Sequence, residues 1–328
     1  MNQILDVKSQ MHLLELEITT ECNQNCQYCY NRNEKREEMS LDDVKNYFEF
    51  AKENNVEVIV ISGGEASLHK DFSSICKYIL NEKNNFRRIV LQSNGNIKNA
   101  AIKDLKAFHA LHLSYELDLT SVRSLSTEDN MELAKYFNEH GIYTYLFSTI
   151  TMKNYKNIDK IIDKANSNNV DIAFNLCIDN GSNKDLLLSN KLKFEVCKKL
   201  VNYEKEGKIL AFKNPFTSII KNYVSEEFIG VKGGCTAGIA SCVISSNGNV
   251  YPCPFFRIIA GNTKANDIKD IWMKSNILKL LRSRKFLQEP CGSCKHLSFC
   301  GGCRKNAFQA SKSLLGSDPS CILNEVHI

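Results

Sequence analysis

Three cysteines, Cys22, Cys26 and Cys29, stand in a Cys-x3-Cys-x2-Cys spacing directly after a strand-like segment, with no histidine close by. Three thiolates can hold three irons of a 4Fe-4S cube and leave the fourth iron open to a ligand that is not protein. The same logic separates a catalytic zinc site, with its open position, from a closed structural one. Without a local fourth ligand the triad makes a poor tetrahedral zinc site. Eight further cysteines crowd the C-terminal third: Cys235, Cys242 and Cys253, then Cys291, Cys294, Cys300 and Cys303, then Cys321. Eight thiolates suffice to saturate two more cubes, and a pair of zinc ribbons is the other use for them. Spacing alone places Cys291, Cys294, Cys300 and Cys303 on one site. Of the fourteen cysteines only Cys76, Cys177 and Cys197 lie in the long stretch between the two groups.

The chain has 328 residues, 43% hydrophobic and 24% charged, enough to bury a full core in one large α/β domain with a smaller module attached. The first twenty residues hold no uninterrupted apolar run, and no run anywhere is long enough to span a bilayer. A cytoplasmic protein with no membrane partner is therefore expected. In that reducing compartment close-set cysteines bind metal rather than pair. The net charge of +5 suits an acidic peptide or an anionic cofactor precursor equally. No basic stripe interleaved with aromatics appears, so nucleic acid is not an expected partner.

Strand-like segments at 12–19, 56–62, 88–93, 111–117, 142–151 and 170–178 alternate with helical patterns at 40–55, 71–84, 98–109, 127–140, 155–168 and 191–206. Ser40 and Thr127 stand where an N-cap hydroxyl belongs, and Gly141 and Gly207 where helices stop. Six βα units in sequence predict a parallel sheet with right-handed crossovers, a partial (β/α)6 barrel smaller than the eight-fold one. Along the strands Leu14, Leu16 and Ile18 alternate with Glu15, Glu17 and Thr19. Leu113, Tyr115 and Leu117 alternate with His112, Ser114 and Glu116, and Ile172, Phe174 and Leu176 with Ala173, Asn175 and Cys177. Successive side chains point to opposite faces, so the apolar set should meet the helices and the polar set line a ligand cavity. After about residue 208 periodicity yields to Gly, Cys and Pro, with one helical pattern from Asn266 to about Phe286. The expected organisation is a core at 8–210, a linker at 211–232 and a cysteine-rich domain of little regular structure at 233–328.

The cysteine triad after the first strand resembles that of the radical S-adenosylmethionine (SAM) superfamily, whose open iron chelates the amino and carboxylate groups of SAM. Tyr28 matches the aromatic that contacts adenine. Gly63-Gly64-Glu65, ending the second strand, resembles the family's GGEP segment, with Ala66 in place of proline. Asn94 in Gln92-Ser93-Asn94-Gly95 resembles the TNG segment. Ser114 and Glu116 resemble the serine and aspartate of an SLD segment, and Arg123 falls where relatives place an arginine near the cofactor carboxylate. The resemblance implies reductive cleavage of SAM to a deoxyadenosyl radical, fed by a flavodoxin or ferredoxin-like donor, and hydrogen abstraction from a substrate in the lumen.

The second cysteine group resembles the SPASM module with its two auxiliary 4Fe-4S clusters, three clusters in all. The family's interleaved pattern implies Cys235, Cys242, Cys253 and Cys303 on one, and Cys291, Cys294, Cys300 and Cys321 on the other. Cys76 and Cys197 read as core residues; Cys177 faces the lumen and is a candidate hydrogen donor to a substrate radical. Such domain pairs most often mature ribosomally made peptides, so a cross-linked or epimerised peptide is the leading expectation. With only about ten residues before the first strand, a separate leader-recognition protein or direct docking would serve it. Tetrapyrrole side-chain processing in anaerobic haem synthesis is the alternative, since CTAGIASC, YPCPFF and CGGCR resemble those enzymes. Sulfatase-type maturation is disfavoured, because Pro254 stands where those enzymes place a catalytic aspartate.

Overall fold

The structure, a computed structural model, describes residues 10–31, 35–117, 126–224 and 234–324. Its frame is one sheet. Seven strands follow in chain order: β1 (Leu13–Thr19), β2 (Val58–Gly63), β3 (Arg88–Ser93), β4 (Ala110–Ser114), β5 (Thr144–Ile150), β6 (Ile172–Leu176) and β7 (Ala211–Lys213). Each pairs in parallel with the next. Three more come from the cysteine-rich region: β8 (Ser241–Ser245), β9 (Asn249–Tyr251) and β10 (Gly261–Asn262). β8 runs parallel to the other side of β1, and β9 and β10 continue antiparallel, giving the order β10-β9-β8-β1-β2-β3-β4-β5-β6-β7. With β10 and β7 as its edges, the barrel is open.

The helices are α1 (Leu41–Glu53), α2 (Phe72–Glu82), α3 (Ile102–Leu105), α4 (Asn130–Glu139), α5 (Ile158–Ser167), α6 (Asn190–Lys205), α7 (Thr217–Val224), α8 (Ile268–Lys274), α9 (Asn276–Arg282) and α10 (Arg304–Ser311). Ser40 caps α1 in a capping box with Asp43, and Gly141 and Gly207 end α4 and α6 at positive φ. Thr127 is not a cap. Its buried hydroxyl accepts the Glu116 amide, and α4 starts at Asn130. The 98–109 pattern is interrupted where Ala100 and Ala101 are extended, although Leu105 and Phe108 within it are buried. The pattern after Asn266 divides at Ser275 into α8, capped by Asp267, and α9. The expected linker starts as regular structure, because 211–213 is β7 and α7 packs on α6.

Leu14, Leu16, Ile18, Leu113, Tyr115, Phe174 and Leu176 all enter the large core under the helices, as alternation predicts. Outside β1, where Glu15 stands in register with Val60, the opposite face is polar only toward the strands' C-terminal ends. Lower down, Val60, Val90, Ala110, Tyr145 and Ala173 form a separate apolar plug across β2 to β6. Outside β1 the polar wall expected along the whole lumen is thus confined to its mouth, where a ligand can enter.

Candidate active site

The cysteine loop leaves β1 and returns beside it. Thr20 donates its amide to Glu37 O (3.0 Å), and Met39 donates to Ile18 O (2.8 Å). Gly63 and Gly64 bring the end of β2 against this loop. Gly64 donates to Thr19 O at 2.7 Å and Glu65 to Glu21 O at 2.7 Å. A Cβ on Gly63 would fall 2.2 Å from Thr19 O, and one on Gly64 2.2 Å from Glu21 O. The glycines are required here by close approach of two backbones. From the far side Asn180, after β6, donates its Nδ2 to the carbonyls of Gln27 (3.0 Å) and Cys29 (3.1 Å).

Cys22, Cys26 and Cys29 so line one wall of a cavity of ≈ 200 Å³ at the C-terminal ends of the strands. Cys22 Sγ accepts the Gln24 amide at 3.4 Å and Asn94 Nδ2 at 3.6 Å, and Cys29 Sγ accepts the Asn31 amide at 3.4 Å. Amide hydrogens aimed at sulfur spread the charge of a ligating thiolate. Three sulfurs facing one cavity, with Cys22 and Cys29 so supported, fit an iron–sulfur cluster.

Of the residues singled out in the sequence, Tyr28, Gly63, Gly64, Asn94, Ser114 and Cys177 line this cavity. Glu65 and Glu116 stand behind the wall. The fully buried Glu65 carboxylate accepts Ser93 Oγ (3.0 Å), the Asn94 amide (2.7 Å), and both the hydroxyl (2.9 Å) and amide (3.3 Å) of Ser67. It clamps the end of β3 to the end of β2 and so positions Asn94. Burial nevertheless raises its pKa. Glu116 accepts the Tyr28 hydroxyl at 3.1 Å and fixes that ring. Arg123 lies outside the described residues.

Sequence reading missed Gln24, Tyr30, Phe147 and Phe255 on the same wall. Phe255 comes from the cysteine-rich region and meets Tyr30 edge-on at 5.3 Å, a contact with no local signature in the sequence. His112 stacks on Phe147 at 4.2 Å; burial, and secondarily Lys213, lower its pKa to about 3, so it presents a neutral imidazole. Cys177 accepts Asn183 Nδ2 at 3.3 Å, and burial raises its thiol to about 12, which keeps the hydrogen on sulfur.

In the cysteine-rich region the sulfurs fall into two groups. Burial first, then the charges of Cys235 and Cys303, push Cys253 well up. Burial, then Cys321 and Cys294 among its charged neighbours, raise Cys300 to about 11, while Cys291 and Cys294 act on Cys321. Backbone amides point at these sulfurs also: Ala237 at Cys235, Phe255 and Phe256 at Cys253, Asn306 at Cys303, Gly302 at Cys300 and Leu323 at Cys321. Cys253 and Cys303 thus neighbour Cys235, and Cys300 and Cys321 neighbour Cys294, as the interleaved expectation would have them. Cys242 stands apart from both. It sits on β8 opposite Leu14, within the helix-facing core, its Sγ 3.9 Å from Met11 Sδ. Burial raises it to about 12, with Arg282 opposing.

Residues 16–166 match the family described as the radical SAM superfamily, and residues 235–295 match SPASM, an iron–sulfur cluster-binding domain. The chain carries a radical SAM domain and a SPASM domain. It is an enzyme that binds SAM and iron–sulfur clusters. Among its relatives, the AdoMet-dependent heme synthase of Methanosarcina barkeri is 23% identical over 94% of this chain and 96% of that protein. The subtilosin biosynthesis protein AlbA of Bacillus subtilis is 24% identical over 90% of this chain and 68% of that one. Streptococcus suis SuiB bound to its precursor peptide SuiA shares the fold of this radical SAM chain. Its TM-score is 0.80 at 21% identity, covering 96% of this chain and 77% of SuiB. Among the described residues no helix is long and apolar enough to cross a membrane.

Proposed function

We propose that this radical SAM enzyme processes the propionate side chains of a tetrapyrrole. The supporting observation is correspondence along the whole chain. Three AdoMet-dependent heme synthases align over 94% of this chain and 86–96% of their own lengths, through both domains. AlbA, a likeness that supports the peptide reading, leaves about a third of itself uncovered. The tetrapyrrole, expected only as the alternative, therefore becomes the first reading. An aromatic wall of Tyr30, Phe147 and Phe255 suits a flat conjugated substrate.

In this reading Cys22, Cys26 and Cys29 hold the SAM cluster, and Tyr28, Gly63, Gly64, Asn94 and Ser114 contact the cofactor. Glu65 and Glu116 act through Asn94 and Tyr28 as positioning residues. Cys235, Cys253 and Cys303 hold one auxiliary cluster, and Cys291, Cys294, Cys300 and Cys321 the other, three clusters in all. The bound cofactor supplies one-electron, hydrogen-abstracting chemistry. The chain's own part is to hold the substrate carbon against it, to exclude water with the aromatic wall, and to keep His112 uncharged beside it. A flavodoxin or ferredoxin-like protein would deliver the electron.

The test is anaerobic turnover of the reconstituted enzyme with SAM, a reductant and an iron porphyrin carrying four propionates. Deoxyadenosine should form together with a porphyrin that has lost carbon dioxide and two hydrogen atoms per converted side chain. An unchanged porphyrin, with a modified peptide from a neighbouring reading frame, would transfer the assignment to peptide maturation. In that case a separate leader-recognition protein becomes the expected partner.

A further inference from the structure

Positive charge is not spread evenly along this chain. Between Ile268 and Phe286 stand Lys269, Lys274, Lys279, Arg282, Arg284 and Lys285 against a single acid, Asp270, a net +5 that equals the charge of all 328 residues. Helical periodicity sorts them. Ile268, Ile271 and Trp272 of α8 and Leu278 and Leu281 of α9 are buried, so Lys269, Met273 and Lys274, then Lys279 and Leu280, are turned outward. Lys274 pairs with Asp270 at 2.8 Å. Lys269, Lys279 and Lys285 have no acidic partner among the described residues.

The same surface is apolar between its charges. Of the nine large apolar side chains exposed among the described residues, four are Ile259, Met273, Leu280 and Phe286, the last 56% exposed. Ile259 joins the group because β10, just after it, lies against α8: a Cβ on Gly261 would fall 2.8 Å from Ile271 Cγ1. Exposed apolar side chains rimmed by charge of one sign mark a surface that another macromolecule covers.

This surface abuts one cluster site. Arg284 Nη1 donates to the carbonyls of Leu297 (3.2 Å) and Ser298 (2.8 Å), and a Cβ on Gly292 would fall 2.3 Å from Leu287 O. Residues 284–287 are therefore packed on the loop that carries Cys291, Cys294 and Cys300. Cys291 and Cys294 are only partly buried. Reductive cleavage of SAM takes in one electron, and the partner that brings it must approach a cluster from outside. Such encounters are small and steered by charge.

We propose that the outer face of α8, α9 and the turn Arg284–Phe286 docks an acidic one-electron carrier protein, which reduces the cluster at Cys291, Cys294, Cys300 and Cys321. One electron leaves the carrier and enters the cluster, and no proton or group moves with it. The proposal rests on the cluster ligands and electron donor of the reading above and is independent of the substrate. It is tested by stopped-flow bleaching of cluster absorption in the full, anaerobically reconstituted chain, with a reduced flavodoxin and a reduced ferredoxin as separate probes. Lys279→Glu combined with Lys285→Glu should slow reduction by the effective probe about tenfold at low ionic strength, and the difference should shrink with added salt. Phe286→Ser should slow it at every ionic strength. Lys77→Glu combined with Lys198→Glu, on α2 and α6, makes the same change in net charge and should leave the rate near wild type. Photoreduced deazaflavin, too small to need a docking face, should reduce every variant alike, and iron content verifies that the clusters are loaded. Equal rates for the wild type and the Lys279/Lys285 double variant, or equal slowing by the α2 and α6 pair, overturn the docking face. A wild type reduced by neither protein overturns it also, while deoxyadenosine formed with deazaflavin leaves the radical SAM chemistry standing.

Discussion

At the scale of single residues, what distinguishes one cysteine from another is the company its sulfur keeps. Cys235, Cys253 and Cys303 receive backbone amides and share one another's field, whereas Cys242 is packed on Met11 within the core. A cluster thiolate needs donors to disperse its charge, and a core thiol needs none. Cys242→Ala should therefore leave iron and sulfide content after reconstitution close to wild type, at a stability cost of about 1 kcal/mol for the small cavity. Cys253→Ser should lose one cluster's worth of iron. Iron and sulfide analysis with the electron paramagnetic resonance spectrum of the reduced protein distinguishes the two. Equal losses from both variants would return Cys242 to the ligand set. The sequence could not settle this, because eight cysteines at cluster-like spacing are alike until the strand carrying Cys242 is known to turn it toward the helices.

At the scale of the element, the two faces of β1 were legible before any fold was, since alternation is a local property of the chain. Leu14, Leu16 and Ile18 go to the core, and Glu15 and Glu17 to the lumen. What alternation could not supply is how β1 tolerates two buried carboxylates. Glu15 accepts Ser62 Oγ at 2.6 Å. Glu17 is held by Arg257 Nη1 at 3.0 and 2.9 Å, from beyond β9. The pairs differ in charge. Burial, then the proximity of Glu17, raises Glu15 from 4.5 to about 7, so it is carried as an acid at mildly acidic pH. A carboxyl that holds its proton more tightly folded than unfolded gives its full stabilisation below pH 4.5. That contribution is lost as pH rises to about 7. Glu15→Gln keeps a neutral hydrogen-bonding group and removes the titration. Its unfolding free energy should exceed that of wild type at pH 8 by at most about 3 kcal/mol, and the two should converge near pH 4. A difference independent of pH would show that Glu15 does not titrate in this range. The apolar plug beside Glu15 was hidden for a related reason. Val60 and Val90 belong to runs apolar on both faces, where period-two reading has nothing to count.

At the scale of the whole molecule, the cysteine-rich region is part of the barrel. Five residues of β8 lie in register with β1, Ser241 with Leu13 through Ser245 with Glu17, and Arg257 and Phe255 enter the lumen wall from the same region. Long-range strand pairing leaves no local mark, so a sequence that changes character near residue 208 reads as two domains where the sheet is continuous. The consequence is a prediction about truncation. A chain ending at Val224 would expose β1 as an edge with unpaired backbone groups. It would also strip Glu17, whose side chain is only 3% exposed, of its guanidinium partner. Removing one partner of a buried ion pair costs about 3–5 kcal/mol, in addition to the contacts of β8 with Met11 and Leu14. The truncated chain should aggregate or bind SAM cluster iron poorly, and Glu17→Gln within it should recover part of the soluble fraction by removing the stranded charge. Size-exclusion chromatography and iron analysis after anaerobic reconstitution give the answer. A monomeric truncated core with a full SAM cluster would mean that the pairing of β8 with β1 joins two folds each stable alone, and that the cysteine-rich region contributes clusters and substrate contacts but not the barrel's stability.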